Sequence, residues 1–355
     1  MHMRNAMMAV PGRSLLCRAL VLAALLLTQP TTARTSAAPA TASMEAIRAA
    51  DLRVATIGER LSIANLLLCA DTMMRTGLVL HDIRQYSTGT QASARAVFGF
   101  PRDIAVEAVV PGSGAERAGV RADMALDRID GDAVTAISPD TTEDNEDFRR
   151  LAGVMNRIDN VARGGGAVPL DVVTRDGAVS HVVIMPHRGC ATRFQLLLGA
   201  GSNGFANGTY AQVASGLYDE ARSDDELAAA MAHEFAHNVL RHRARLDALG
   251  ADRGLLGGFG RNARLILATE NEADRLSLYL MANAGFDPAA AIPFWDRFIA
   301  KHGFGAFADG THLGRTKRVA QFRAELEALK ALRAKTPAGE VLVPAFAKQP
   351  FAPLG

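Results

Sequence analysis

The chain has 355 residues, 49% of them apolar, enough for a sizeable core and, at ordinary domain sizes, for two domains with accessories. Against 39 basic residues stand 37 acidic ones, a formal charge of +2, so no overall field draws the protein to nucleic acid. Recognition and chemistry must lie in local sites.

Residues 1–42 read as a secretory signal peptide with its processing region. Arg4, Arg13 and Arg18 lead into the apolar run ALVLAALLL (19–27), and a stretch rich in alanine, threonine and proline follows. The run is far shorter than the roughly 20 apolar residues of a spanning helix. The expected product is therefore exported, periplasmic in a bacterial cell, with cleavage between Ala33 and Ala42; an uncleaved anchor or an unstructured leader is the alternative. Cys17 precedes the apolar run, which argues against a lipid anchor there, and no later stretch is long and apolar enough to span a membrane. Export leaves Cys69 and Cys190, which can pair in an oxidising compartment or stay as two buried thiols; sequence does not bring them within bonding distance. Two cysteines are too few for a cysteine-based zinc site.

Residues 43–94 are predicted as a helical segment: Ile47, Val54, Ile57, Leu61, Ala64 and Leu68 recur at steps of three, four or seven, one stripe of a packing helix from Met44 to about Thr76. Residues 95–188 change texture to short β-rich runs separated by glycine, with one helix over 145–158. The stretch VVPGSGAERAGVRADMALDRIDGDAV (109–134) resembles a PDZ domain of the bacterial envelope type, in its Pro-Gly-Ser turn, its Ala-Gly helix end and its Ile-Asp-Gly turn. The resemblance implies that Phe98, Gly99 and Phe100 form the loop that captures a peptide C-terminus beside an added strand.

Residues 189–336 read as mainly helical. A strand near Tyr210, Gln212 and Val213 precedes a helix opened by Ser223 and Glu226 in capping-box spacing. Further helices are expected over 261–285, behind Pro288 and over 314–335. The tail, 337–355, with four prolines, is expected to be extended or disordered. The whole is an α+β multidomain chain: a β-rich module followed by a mainly helical domain with a small edge-strand sheet.

The chemistry concentrates in AAAMAHEFAHNVLRH (228–242). His233 and His237 stand four apart, so on a helix both rings leave one face and can share a zinc ion, with Glu234 beside it as general base on a water. A catalytic zinc needs a third protein ligand and an open position. The metzincin extension would require glycine and histidine at positions now held by Leu240 and Arg243, which excludes that class. His242, five residues beyond His237, is expected on the helix surface.

The third ligand follows from a resemblance. ENEAD (270–274), and its continuation over nearly thirty residues, is similar to the zinc metalloendopeptidase family of HtpX, BepA and the CAAX prenyl endopeptidase, a gluzincin group that pairs its HExxH helix with a later helix bearing Glu and Asp four apart. This implies Glu270 as third ligand to one Zn2+ per chain and Asp274 as a partner fixing a histidine; Glu272 points elsewhere. The segment FANGTYAQVASGLYDEARSDDELAAAMAHEFAH has the family's order of turn, edge strand and catalytic helix. THLGRTKR resembles its later histidine and arginine pair, here His312 and Arg318, as oxyanion stabilisers, with His312 alternatively a resting zinc ligand. Leu313 stands where that family usually has proline. The implied activity is endopeptidase cleavage of misfolded or partly unfolded polypeptides in the cell envelope, with the PDZ-like module recognising a C-terminal peptide or regulating. Two rivals stand beside it: a non-catalytic periplasmic chaperone or adaptor with a vestigial metal fold, and a structural zinc closed by His312.

Overall fold

The computed structural model describes residues 38–143, 145–199, 201–251, 260–303 and 312–348. The predicted signal peptide therefore lies outside the described residues except for 38–42, and so do residues 349–355. In chain order, helix α1 (Ala38–Ala64) leads through one 3-10 turn (Leu66–Leu68) to strands β1 (Thr72–Arg75) and β2 (Leu78–Asp82). Helix α2 (Gln91–Phe98), β3 (Ile104–Val109), the short α3 (Gly114–Arg117), β4 (Ala125–Ile129), β5 (Asp132–Ala133), α4 (Arg149–Ala162), β6 (Val168–Val173) and β7 (Val179–Ile184) follow. The second half holds β8 (His187–Cys190), β9 (Arg193–Leu197), β10 (Gly204–Ala206) and β11 (Tyr210–Ala214). After them come α5 (Ser215–Glu220), α6 (Asp224–Val239), α7 (His242–Ala248), α8 (Gly260–Asn283), α9 (Ala291–His302), α10 (Arg315–Arg333) and α11 (Ala345–Lys348). No described helix is long and apolar enough to cross a membrane.

The stripe read along α1 is its buried face: Val54, Ile57 and Leu61 enter the core of the second half of the chain. The helix stops twelve residues short of the expected Thr76, because Asn65, fully buried, turns its amide onto the carbonyls of Leu61 (2.9 Å) and Leu280 (3.0 Å). Beyond it the period changes from 3.6 to 2, and β1 pairs antiparallel with β8 while β2 joins β3. The segment 43–94 is thus interrupted by β1 and β2 between α1 and the start of α2, and the β-rich module begins at β2.

That module is an antiparallel sheet in the order β2-β3-β4-β6-β7, with β5 attached to β4. Leu151, Val154 and Ile158 of α4 close its core. Phe98 and Phe100 are both buried around His81, Phe98 edge-on to it with ring centroids 5.0 Å apart and Phe100 stacked at 4.3 Å, with Tyr86 at their side. The strand after them, β3, is paired on both edges. The proposed peptide loop at Phe98, Gly99 and Phe100 is therefore corrected: aromatic burial uses those side chains for packing, and a peptide cannot add beside β3. The edges of this sheet are β2 and β7.

In the second half a small sheet, β10-β11-β9, lies against α6, with β9 parallel and β10 antiparallel to β11. Helix α6 packs against α8 as well as the small sheet, and its Ala228, Ala229, Ala232 and Ala236 are all fully buried. Small side chains let two helix axes approach closely. The tail also differs from expectation over 337–348. Leu342 is fully buried and its backbone exchanges hydrogen bonds with the Asn283 side chain (2.8 and 3.0 Å), while Phe346 packs on Tyr279. An apolar residue at the right distance from α8 outweighs the prolines around it.

Cys69 and Cys190 are joined in a disulfide, with their Cα atoms 5.6 Å apart and 121 residues of sequence separation. It fastens the end of the first helical segment to β8, where the chain enters the second half. A loop of this length corresponds to roughly 5 kcal/mol of chain entropy in the unfolded state. The Cys69→Ala, Cys190→Ala double variant should lose about 2–5 kcal/mol in urea unfolding; a loss below about 1 kcal/mol would contradict a tie of that kind.

Candidate active site

Helix α6 starts where the Ser223 hydroxyl accepts the Glu226 N–H (3.2 Å), and acidic residues fill its first turn, where the helix dipole favours them. Asn238, the residue after His237, pins its other end: its amide donates to the Tyr210 carbonyl (3.0 Å) and its carbonyl accepts from Gly208 N–H (2.8 Å). The catalytic helix is thereby locked to the hairpin that carries β10.

His233 and His237 project one turn apart with their Nε2 atoms 3.3 Å from each other. Glu270 arrives from α8, its Oε2 3.1 Å from His233 Nε2 and its Oε1 3.6 Å from His237 Nε2. One ligand atom from each of the three lies within 4.8 Å of the others, and among the described residues this is the group able to hold a metal ion. Two imidazole nitrogens and one carboxylate oxygen make the His2Glu donor set of a catalytic zinc, and the geometry fits that ion. The electrostatics agree. Burial opposes charge on Glu270, yet His237, His233 and His312 hold its carboxyl well below the usual range. Burial likewise disfavours a charged His233, but Asp274 and Glu270 outweigh it and push that ring up to about 10. The pocket is built to surround positive charge.

His312 is the third imidazole here, its Nε2 3.2 Å from Glu270 Oε2 and its side chain 30% exposed. It faces the same carboxylate as the two α6 histidines. Glu234 is buried, and burial pushes its carboxyl up against the pull of both histidines, the direction a general base needs. Its side chain rests on Gly204 of β10, where an added Cβ would stand 2.2 Å from Oε1. These residues line a cleft of about 800 Å³ that also takes in Phe205, Trp295 and Phe298.

Behind the ligands, Asp274 Oδ1 stands 2.9 Å from His233 Nδ1, at a poorer angle than a straight hydrogen bond. Arg318 holds Asp274 with two bonds (Nε–Oδ2 2.7 Å, Nη2–Oδ1 2.5 Å), and its guanidinium lies 4.0 Å from the Trp295 ring centre. Both bonds to Asp274 and the contact with Trp295 make Arg318 an anchor for that carboxylate, a role the resemblance did not imply. The surface placement of His242 is overturned. It is 2% exposed, with Nδ1 2.9 Å from His237 Nδ1 and Nε2 3.0 Å from Glu272 Oε2. The cause is local: α6 does not continue, because Arg241 adopts a left-handed conformation (φ 53°, ψ 38°) and the chain folds back into α7. Glu272 does leave the metal, as expected, and pairs with His242 and Arg245. Sequence reasoning also passed over Asn238 and Gly204; the asparagine directly after the motif, and a glycine in the edge strand facing it, were the signals available.

Residues 186–257 match the model of Peptidase family M48. Among curated proteins, the mitochondrial metalloendopeptidase OMA1 of Schizosaccharomyces pombe is 38% identical over 129 residues, 30% of this chain and 38% of that protein. A Vibrio cholerae protein named "Putative beta-barrel assembly-enhancing protease" is 29% identical over 127 residues, 28% of this chain and 26% of its own length. The chain thus spans well under half the length of the curated relatives it matches. The family match ends before Glu270, so that ligand rests on the geometry above.

Substituting Gly204 by Val must move either Glu234 or the edge strand. It should lower kcat/KM on an unfolded protein substrate at least tenfold while metal content per chain stays unchanged. Native turnover in this variant would show that the close approach of strand and base is dispensable.

Proposed function

We propose that this chain, an M48-family metalloprotease, is a zinc-dependent endopeptidase of the cell envelope that cleaves misfolded or partly unfolded polypeptides. The observation that carries the reading is the placement of Glu234 between the His233, His237 and Glu270 set and the glycine of edge strand β10. An extended substrate can add to such an edge through backbone hydrogen bonds, which need no particular side chains. That suits a protease acting on unfolded segments.

A zinc ion held by His233, His237 and Glu270 would supply a Lewis acid that acidifies a water and polarises a carbonyl. The remaining work falls to the chain. Glu234, its carboxyl raised by burial, accepts the proton of the attacking water and passes it to the leaving amine. Strand β10 aligns the scissile bond, and Trp295 and Phe298 line an apolar part of the cleft. His312 is free of the core, at the Glu270 carboxylate, where it can meet a developing oxyanion or close the site at rest. That second possibility supports a resting state, and is the one observation favouring a site that is not continuously active.

Export is supported by the basic and apolar pattern of residues 1–42 and by the disulfide, which persists in oxidising compartments. The β-rich module serves, in this reading, as a PDZ-like recognition or regulatory unit. With β3 paired on both edges, the position for an added peptide is the edge of β2. There a cavity of about 850 Å³ adjoins β2, walled by α1, β1, α4 and β9, with Leu80, Leu151, Met155 and Ile158 in its lining.

Incubation of the purified chain with casein or an unfolded β-barrel precursor, with and without a chelator, tests the activity. Cleavage should require metal, and Glu234→Gln should reduce it by about 10²–10⁴-fold, the usual contribution of a general base, while zinc content remains at one per chain. Undiminished cleavage by Glu234→Gln would remove the assigned base; no cleavage by the native chain with zinc bound would favour the chaperone or adaptor reading.

A further inference from the structure

We propose that His242 is a positioning residue for the metal ligand His237. It fixes the tautomer and orientation of that ring, and is itself fixed by Glu272 and Arg245. The inference rests on reading His233, His237 and Glu270 as the metal site, and it concerns how one of those ligands is held.

The proton assignment follows from the contacts. His237 turns Nε2 inward, 3.3 Å from His233 Nε2 and 3.6 Å from Glu270 Oε1, so Nε2 is the atom offered to a cation. An imidazole that gives its Nε2 lone pair to a cation carries its proton on Nδ1. That atom is 2.9 Å from His242 Nδ1, and two ring nitrogens this close share one proton. His242 must then accept at Nδ1 and carry its own proton on Nε2, which lies 3.0 Å from Glu272 Oε2. Glu272 only accepts, and its two oxygens are also met by Arg245, Nη1 to Oε2 at 2.5 Å and Nη2 to Oε1 at 3.3 Å.

Every donor in this row has an acceptor, and the opposite arrangement fails twice. A proton on His242 Nδ1 would force the His237 proton onto Nε2, leaving no lone pair for a metal. It would also set the bare Nε2 of His242 against a carboxylate. Burial enforces the choice, since His242 is 2% exposed and an unmatched polar contact there cannot be relieved by bulk water. The left-handed turn at Arg241 delivers the ring: without it, a continuing helix would carry position 242 away from His237.

The two α6 ligands are thus held by different means. His233 meets a carboxylate, Asp274, backed by Arg318; His237 meets an imidazole, with the carboxylate one ring further out and Arg245 behind it. Partners of this kind tune metal affinity by about 10–100-fold.

The test measures zinc affinity by chelator competition for the native chain, His242→Leu and His242→Asn, with thermal unfolding of each metal-free form beside it. Asparagine keeps an acceptor near the Nδ1 position that meets His237; leucine keeps none. His242→Leu should bind zinc about 10–100-fold more weakly, and His242→Asn should recover most of that loss. Equal zinc affinity in native and leucine forms overturns the proposal, as does an asparagine form no better than leucine when both are folded. Nitrogen-15 NMR of histidine-labelled native chain needs no variant: zinc-loaded protein should show His237 protonated on Nδ1 and His242 on Nε2. A proton on His242 Nδ1 overturns the assignment. Failure of the native chain to bind zinc at this site would instead fail the metal-site reading itself.

Discussion

The close contact of α6 with α8 is the constraint on which the rest of the site depends. Helix α6 is rich in fully buried alanines, and α8 packs against it so that the Glu270 carboxylate comes within 3.1 Å of His233. Neither helix makes a site alone: α6 presents two histidines and a base, and α8 presents the acids that complete and orient them. A larger side chain at Ala232 or Ala236 would have to separate the axes, and the ligand set tolerates little movement at these distances.

Bringing three carboxylates of one helix into a buried pocket would be costly if they stayed unpaired, because buried charge is tolerated only with partners. The structure resolves this by giving each of the three acids, spaced two residues apart along α8, its own work. Asp274 is neutralised by Arg318 and steadies His233. Glu272 is neutralised by Arg245 and steadies His242. Glu270 instead faces the three imidazoles of His233, His237 and His312, and so keeps its charge for a cation. The arginines come from α7 and α10, so the packing of those helices is part of the metal site although neither supplies a histidine of the pair.

Much of this was legible in the sequence, for identifiable reasons. His233, Glu234 and His237 follow from helical period alone, and the structure places them together as that period requires. Glu270 and Asp274 were reached through a resemblance, since nothing in spacing says which acid thirty residues away returns to the site. His242 was not legible because the break at Arg241 carries no glycine or proline to mark it. Arg318 was reached through the same resemblance, but its pairing with Asp274 was not, because an arginine's partner is a matter of packing geometry. In the β-rich module, the PDZ resemblance implies a peptide-binding loop at Phe98, Gly99 and Phe100. Only the burial of the two phenylalanines against His81 shows them to be core. Strand β2, five residues long, was hidden at the end of a helical period that Asn65 interrupts.

The central claim is that one helix, α8, completes the metal site with Glu270 and supplies its supports with Glu272 and Asp274. Diffraction from zinc-loaded crystals, recorded on both sides of the zinc absorption edge, tests it most directly. The account predicts one strong anomalous peak per chain, about 2.0–2.2 Å from His233 Nε2, His237 Nε2 and a Glu270 oxygen, with Glu272 and Asp274 beyond bonding distance of the ion. A zinc bound through Asp274 or Glu272, through Nδ1 of either histidine, or without Glu270 would contradict it.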